Sequence, residues 1–408
     1  AFHEAFADIV ALLQHFTFPE ILRHQITRTR GEIRSQENLL GQLAGQFGRA
    51  SGGRGALRDA IGRYNPETQA WEPRKPDPLE YERTTEPHAR GAILVAAVFD
   101  AFLSIYETRV ADLLRLATGG TGILAPGAIH PDLVRRLSEE AAKAAKHVLT
   151  MCIRALDYCP PVDLTFGEYL RALITADYDL VRDDDLKYRV AFVEAFRKRG
   201  LYPRDVRTLS VESLLWRGVH GDAAGPSQEL LRGIINLRHH ADALQYAKSR
   251  STIFFLAREM RREVHEWLEE HFEGPCGRRD AGYLGLEYGK KFEVHAARLS
   301  NRVGPDGQKL LQFVIELLQE RTVQVDPREQ TKPVDPQEPV KTMKFEGGCT
   351  IVADLHDLEI KYCIRKHASS EQRLARQQAF VQQLGADSLR STYFEEDTRE
   401  PFAMLHRI

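Results

Sequence analysis

Apolar residues recur at helical spacing from Ala1 to about Phe47: Phe2, Phe6, Ile9, Leu12 and Leu13, then Ile21, Leu22, Ile26, Ile33, Leu39, Leu43 and Phe47. The pattern predicts two helices broken near Phe18-Pro19. Residues 49–87 are rich in Gly, Pro, Arg and Glu, too long for a simple connector, and are expected to form an ordered functional loop. From about Ala89 to Ala117 the chain is apolar nearly all round, which predicts a buried helix. A further helix is expected from Pro131 to about Tyr158, stopped by Pro160-Pro161. Thr165 followed by Glu168 three residues on is a capping box that opens the next. Asp184 and Asp185 can open one that ends at Gly200 behind a cluster of Lys and Arg.

After Pro203 the character changes. Residues 226–272 read as a long helical region, expected to be two helices. From about Gly282 the pattern turns to strands: FEVHAARL, a Gly-Pro-Asp-Gly turn, then KLLQFVIELLQERTV, in which Leu311, Phe313, Ile315 and Leu317 alternate. A helix is the rival for that last stretch, and the turn favours a hairpin. A Pro-rich polar linker, residues 326–340, precedes a second strand pair, CTIVADL and EIKYCIRK. A last helix is expected over 370–384. The chain is therefore read as mainly α, with a helical lobe over 1–202, a helical connecting region over 203–281 and a small α+β domain with an antiparallel sheet over 282–408.

Composition narrows the classes. The 408 residues are 43% hydrophobic and 28% charged, which fits a folded protein with real cores. A net charge of −2 gives no global field toward nucleic acid or anionic lipid, so neither is an expected partner. The longest purely apolar stretch, Ile93 to Phe99, is far short of the roughly 20 residues that span a bilayer, and no transmembrane helix is expected. Five cysteines (Cys152, Cys159, Cys276, Cys349, Cys363) form no CxxC pair and read as buried free thiols, which leans toward a reducing, cytoplasmic compartment over a secreted one and leaves the compartment open. There is no P-loop, dinucleotide fingerprint or GxSxG. The opening AFHEAFADIVALLQHF starts in full helical period with no N-cap, which predicts a start inside a helix of a longer parent protein.

Three features could carry chemistry. Glu4 and Asp8 are four apart and share one helix face, where one carboxylate could ligate zinc and the other support a ligand. The bland alternative is an exposed acidic stripe. His88 stands where the long polar loop meets a buried helix, a place suited to donating a hydrogen bond to a developing oxyanion, or simply to capping. Arg58, in the loop, could clamp a carbonyl or carboxylate or remain solvated.

In order along the chain, these pieces resemble the thermolysin-like zinc peptidases, the gluzincins. HEAFADIVAL resembles the helix that carries the glutamate ligand, ALRDAIGRYNP the loop with the substrate-binding arginine, and HARGAILVAAVFDAF the helix that opens with the oxyanion-stabilising histidine. CIRALDYCPPVDLTFGEYLRALITADYDL, with VAFVEAFRKRGL after it, is similar to the family's terminal helices, so the likeness covers about residues 1–202. It implies a thermolysin-like lobe, a Zn²⁺ cofactor and a peptide or protein substrate. Glu4 would be the metal ligand, Asp8 its supporting carboxylate, His88 the oxyanion donor and Arg58 the substrate clamp. The family's HExxH, which supplies two histidine ligands and the general base, has no match in these residues and would have to come from upstream. HEWLEEH at 265–271 does not replace it, because histidines six apart lie about 600° around a helix. Its Trp267 and Leu268 read as a packed face among solvated charges. This chain alone is expected to be inactive. The rival from another class is a noncatalytic helical scaffold derived from a peptidase fold.

Overall fold

A computed structural model describes residues 1–31, 62–65, 70–221, 225–236, 239–304, 307–325 and 342–383. Among these the chain forms thirteen α-helices, a two-stranded ribbon and a four-stranded antiparallel sheet, and it divides into two compact units. Unit 1 comprises residues 1–159 and 164–216, and unit 2 comprises 160–163 and 217–408. The division falls at 216/217, beyond the expected boundary at 202. Residues 217–281 do not stand alone as a connecting region, because their apolar residues share a core with the sheet.

Unit 1 opens with α1 (Phe2–His15) and α2 (Pro19–Thr29), broken at Phe18-Pro19 as the spacing predicts. A short ribbon of β1 (Gly62–Asn65) and β2 (Ala70–Pro73) and a single turn, α3 (Glu80–Arg83), precede α4 (Pro87–Ala117). Then come α5 (Pro131–Ala155), α6 (Phe166–Leu180), α7 (Tyr188–Lys198) and α8 (Val211–Leu214). α4 is the centre of the unit: residues 91–99 are consecutively buried, and α1, α5 and α7 pack round it. Phe16 lies edge-on to Phe102 at 4.5 Å, and the Tyr106 hydroxyl donates to the Gly31 carbonyl at 3.1 Å.

The expectation about membrane spans needs correction. By length and composition α4 is apolar enough to cross a bilayer, although 78% of its most apolar window is buried within the fold. Counting uninterrupted apolar residues missed this, because Asp100 breaks the run, and that carboxylate is held by Arg199.

Helix ends are closed as the sequence indicates. Thr165 Oγ1 accepts from the Glu168 amide while Glu168 accepts from the Thr165 amide at 2.9 Å, a complete capping box on α6. Asp184 accepts from the amides of Tyr188 and Arg189, opening α7. At the far end of α7 the Leu201 amide bonds the Phe196 carbonyl and the Gly200 amide bonds the Arg197 carbonyl, a Schellman closure with Gly200 at φ +68°.

In unit 2 the region expected to be two helices is three, α9 (Gln228–Asn236), α10 (His239–Tyr246) and α11 (Arg250–Glu273), followed by a short α12 (Gly277–Tyr283) that carries no apolar period to announce it. The strands β3 (Glu293–Val303), β4 (Lys309–Gln324), β5 (Thr342–Asp354) and β6 (Glu359–Lys366) pair in sequence order. KLLQFVIELLQERTV is thus a strand. Register sets Phe313 opposite Leu299 and Ala353, and Ile315 opposite Ala297 and Ile351. One period-2 face therefore packs against Leu230, Ile234, Met260, Val264 and Leu268 of the helices. α13 (Glu371–Gln383) closes a smaller core of Val325, Met343, Phe345, Leu374 and Val381. All five cysteines are free, but Cys276 and Cys363 are only half-buried, short of the full burial expected.

Candidate functional site

α1 and the first turn of α4 meet through small residues. A Cβ placed on Gly91 would lie 3.0 Å from the Ala1 carbonyl oxygen and 3.5 Å from the Ala5 Cβ, so the two backbones come as close as glycine and alanine permit. Glu4 precedes Ala5, and His88 lies one turn before Gly91 on the same side of α4. The consequence is contact between residues far apart in sequence: His88 Nδ1 sits 3.1 Å from Glu4 Oε2. The Glu4 side chain is 16% exposed and that of His88 is 41% exposed, so the carboxylate lies inside and the imidazole at the rim.

Two further groups shape this corner. Glu86 is the N-cap of α4 and accepts from the amides of His88 at 3.0 Å and Ala89 at 2.6 Å. It fixes His88 through the backbone and not through the ring. Asp8, one turn beyond Glu4, has its carboxyl pushed up to about 6, first by burial and then by the Glu4 charge, with His88 opposing. Because the folded pKa exceeds the ordinary 3.8, the folded chain binds this proton more tightly than the unfolded chain. Its contribution therefore grows as pH falls from about 6 to about 4 and is lost as pH rises through 6. Asp8→Asn should remove that part of the slope. Urea midpoints of the two proteins should lie closest near pH 4, where Asp8 is protonated in the fold, and should separate as pH rises through 6, with the parent the less stable because its buried carboxyl must ionise.

The corner can be tested against the zinc that the resemblance implies. Glu4 Oε2 is buried and has no partner in hydrogen-bond geometry, the 3.1 Å approach of His88 notwithstanding, which suits an oxygen meant for a cation. The rest of a ligand set is missing: among the described residues no group of three His, Cys, Asp or Glu side chains could hold a metal. The chain fits one ligand of a zinc site and not the whole. Of the four residues singled out in the sequence, Glu4, Asp8 and His88 come together, and Arg58 lies outside the described residues.

HEWLEEH behaves as a packed segment with one surprise. Leu268 is buried and His265 Nε2 lies 3.2 Å from the Phe292 carbonyl, whereas His271, expected among solvated charges, is buried with its Nε2 2.8 Å from Asp280 Oδ2. Fully buried Asp280 also accepts from the Ser227 hydroxyl and, at 2.9 Å, from the Ser227 amide. Ser227 Oγ in turn accepts from the Leu230 amide at 3.1 Å, capping α9. The serine proton points at a carboxylate and not at the histidine, so the trio is no activated nucleophile; it ties α9, α11 and α12 together. Sequence reading missed it because Ser227 and Asp280 belong to separate elements with no shared local pattern. Unit 1 holds a second unforeseen cluster: Arg109 donates to Glu140 at 2.8 Å and to the Tyr188 hydroxyl at 3.1 Å, and His147 Nδ1 lies 3.3 Å from the same hydroxyl. Burial holds His147 below the usual histidine range and raises Tyr188.

Comparison with protein-family models, characterised proteins and solved structures finds no match to this chain.

Proposed function

We propose that unit 1 is the carboxy-terminal lobe of a thermolysin-like zinc metallopeptidase that hydrolyses peptide bonds in a peptide or protein substrate. The observation that carries this reading is the meeting of Glu4 with His88, backed by Asp8, at the junction of a buried carboxylate and an exposed ring. In this proposal Glu4 gives one carboxylate to the metal, and two histidines and the general base come from an HExxH segment outside these 408 residues. Bound zinc supplies a polarising positive charge and an activated water. Asp8, one turn beyond Glu4, would orient a ligand of the same metal, and His88, held by Glu86 at the start of α4, donates from its ring to the oxyanion as the carbonyl becomes tetrahedral. Arg58 holds the substrate backbone.

A second reading is favoured by the absence of a three-residue metal set among the described residues: the Glu4–His88 approach is then a structural polar contact in a noncatalytic scaffold. Zinc content and peptidase activity of the natural gene product that contains this chain separate the two. On the peptidase reading, that protein carries one zinc per chain and Glu4→Gln loses it. His88→Ala keeps the metal and loses about 10²- to 10³-fold in kcat. A metal-free, inactive protein would favour the scaffold, whereas full activity after His88→Ala would overturn only the oxyanion role given to His88.

A further inference from the structure

The amino-terminal turns of α11 present an unusual surface. Ile253, Phe254 and Phe255 are consecutive, so at about 100° per residue their Cα–Cβ bonds fan round roughly 200° of the helix, with the Phe254 and Phe255 rings edge to face at 5.8 Å. All three are exposed, at 42%, 57% and 65%. A helix lying in a groove or along a flat neighbour would cover at least one of them. The start of α11 therefore projects as a tip with apolar side chains on several sides, and just before it Tyr246 is 75% exposed.

Charge is arranged round the same tip. Arg250, Phe254, Arg258 and Arg262 follow one another at i, i+4 spacing and form a single row along the helix. Over residues 246–262 five cations, Lys248, Arg250, Arg258, Arg261 and Arg262, stand with one acid, Glu259. Arg261 is engaged with the His295 carbonyl at 3.2 Å and Arg262 with Glu266 at 3.5 Å. Lys248, Arg250 and Arg258 are exposed and take part in no ion pair among the described residues.

We propose that this tip is an interfacial anchor: Ile253, Phe254 and Phe255 enter the outer acyl region of an anionic phospholipid surface while Lys248, Arg250 and Arg258 meet its headgroup phosphates. Convexity favours lipid over a protein partner, since a deformable interface accepts side chains splayed round a helix end, whereas a protein would need a socket matching all of them. The sign of the local charge selects anionic headgroups. The whole-chain charge of −2, which led to the expectation of no membrane contact, conceals this local excess of cations. The inference concerns unit 2 alone and stands or falls independently of the peptidase reading.

The test is cosedimentation of the 408-residue chain with vesicles of phosphatidylcholine alone or with roughly a third phosphatidylserine, an anionic lipid. The chain should pellet with the anionic vesicles and be released by high salt. Phe254→Ser with Phe255→Ser should weaken partition at least about tenfold. Arg250→Gln with Arg258→Gln should weaken it roughly tenfold on anionic vesicles and leave neutral ones unaffected. All four positions are exposed, so the variants should keep the parent's circular dichroism. Equal partition on both vesicle types, or unchanged binding by the Phe254→Ser, Phe255→Ser variant, overturns the proposal. Capture by soluble polyglutamate with no vesicle binding overturns it in favour of an acidic protein partner.

Discussion

Asp100→Ala should destabilise unit 1 by about 3–5 kcal/mol, because it strands a buried guanidinium. Arg199 is 1% exposed, and its Nε and Nη2 donate to Asp100 Oδ2 at 3.0 and 2.6 Å. The carboxylate projects from the central helix α4 and the arginine follows the last turn of α7, so the pair links the two elements that define the unit's middle. Arg199 Nη1 already lacks a hydrogen-bond partner, so no spare acceptor stands ready to take over when Asp100 is lost. Removing both charges should behave differently: Asp100→Ala with Arg199→Met should recover most of the loss, since an apolar side chain of similar length suffers no desolvation. Because two units unfold, the readout is native-state hydrogen exchange of the α4 and α7 amides. Protection there should fall by about 10²- to 10⁴-fold in the single variant, against a total stability typically of only 5–15 kcal/mol. A loss under about 1 kcal/mol would mean that water reaches Arg199 once the carboxylate is gone.

What could be read from the chain depended on whether the signal was local. The capping box at Thr165 and Glu168, the Pro19 break and the Gly200 stop are each complete within a few residues, and all three appear where expected. β4 was ambiguous between helix and strand for a physical reason: Val314 is as buried as Phe313 and Ile315, so the alternation that marks a half-exposed strand is blurred by apolar residues on both faces. α12 gave no warning, being one short helix fastened by Asp280 to distant Ser227 and His271. In the candidate site, residue types and their order were legible, but the meeting of Glu4 with His88 was not. It depends on Gly91 letting α1 approach α4, a property of two helices in space. The tip of α11 was hidden as well. The sequence shows only a helical region there, because sequence cannot tell which end of a helix projects.

Gly200→Ala should cost about 2–5 kcal/mol, and the sources of that loss can be separated. At φ +68° alanine is forced into the left-handed region, which accounts for about 1–2 kcal/mol. The new Cβ would also lie 1.8 Å from the Pro78 carbonyl oxygen and 2.8 Å from its carbon, a collision with backbone that no side-chain rotation relieves, which adds roughly 1–3 kcal/mol. Gly122→Ala is the control. It has nearly the same φ, +73°, and nothing within 4 Å of the built Cβ, so it should show the conformational part alone. The collision also has a direction. Pro78 leads into the segment that ends at Glu86, whose carboxylate caps α4 and fixes His88, and Arg90 stacks over Tyr81 at 4.2 Å within the same stretch. Displacing Pro78 should therefore move His88 relative to Glu4. The His88 imidazole resonances should shift in Gly200→Ala and stay in place in Gly122→Ala; a larger loss in Gly200→Ala with no shift would show that the 78–86 segment absorbs the strain before it reaches the site, and equal losses would show that the collision is relieved without cost.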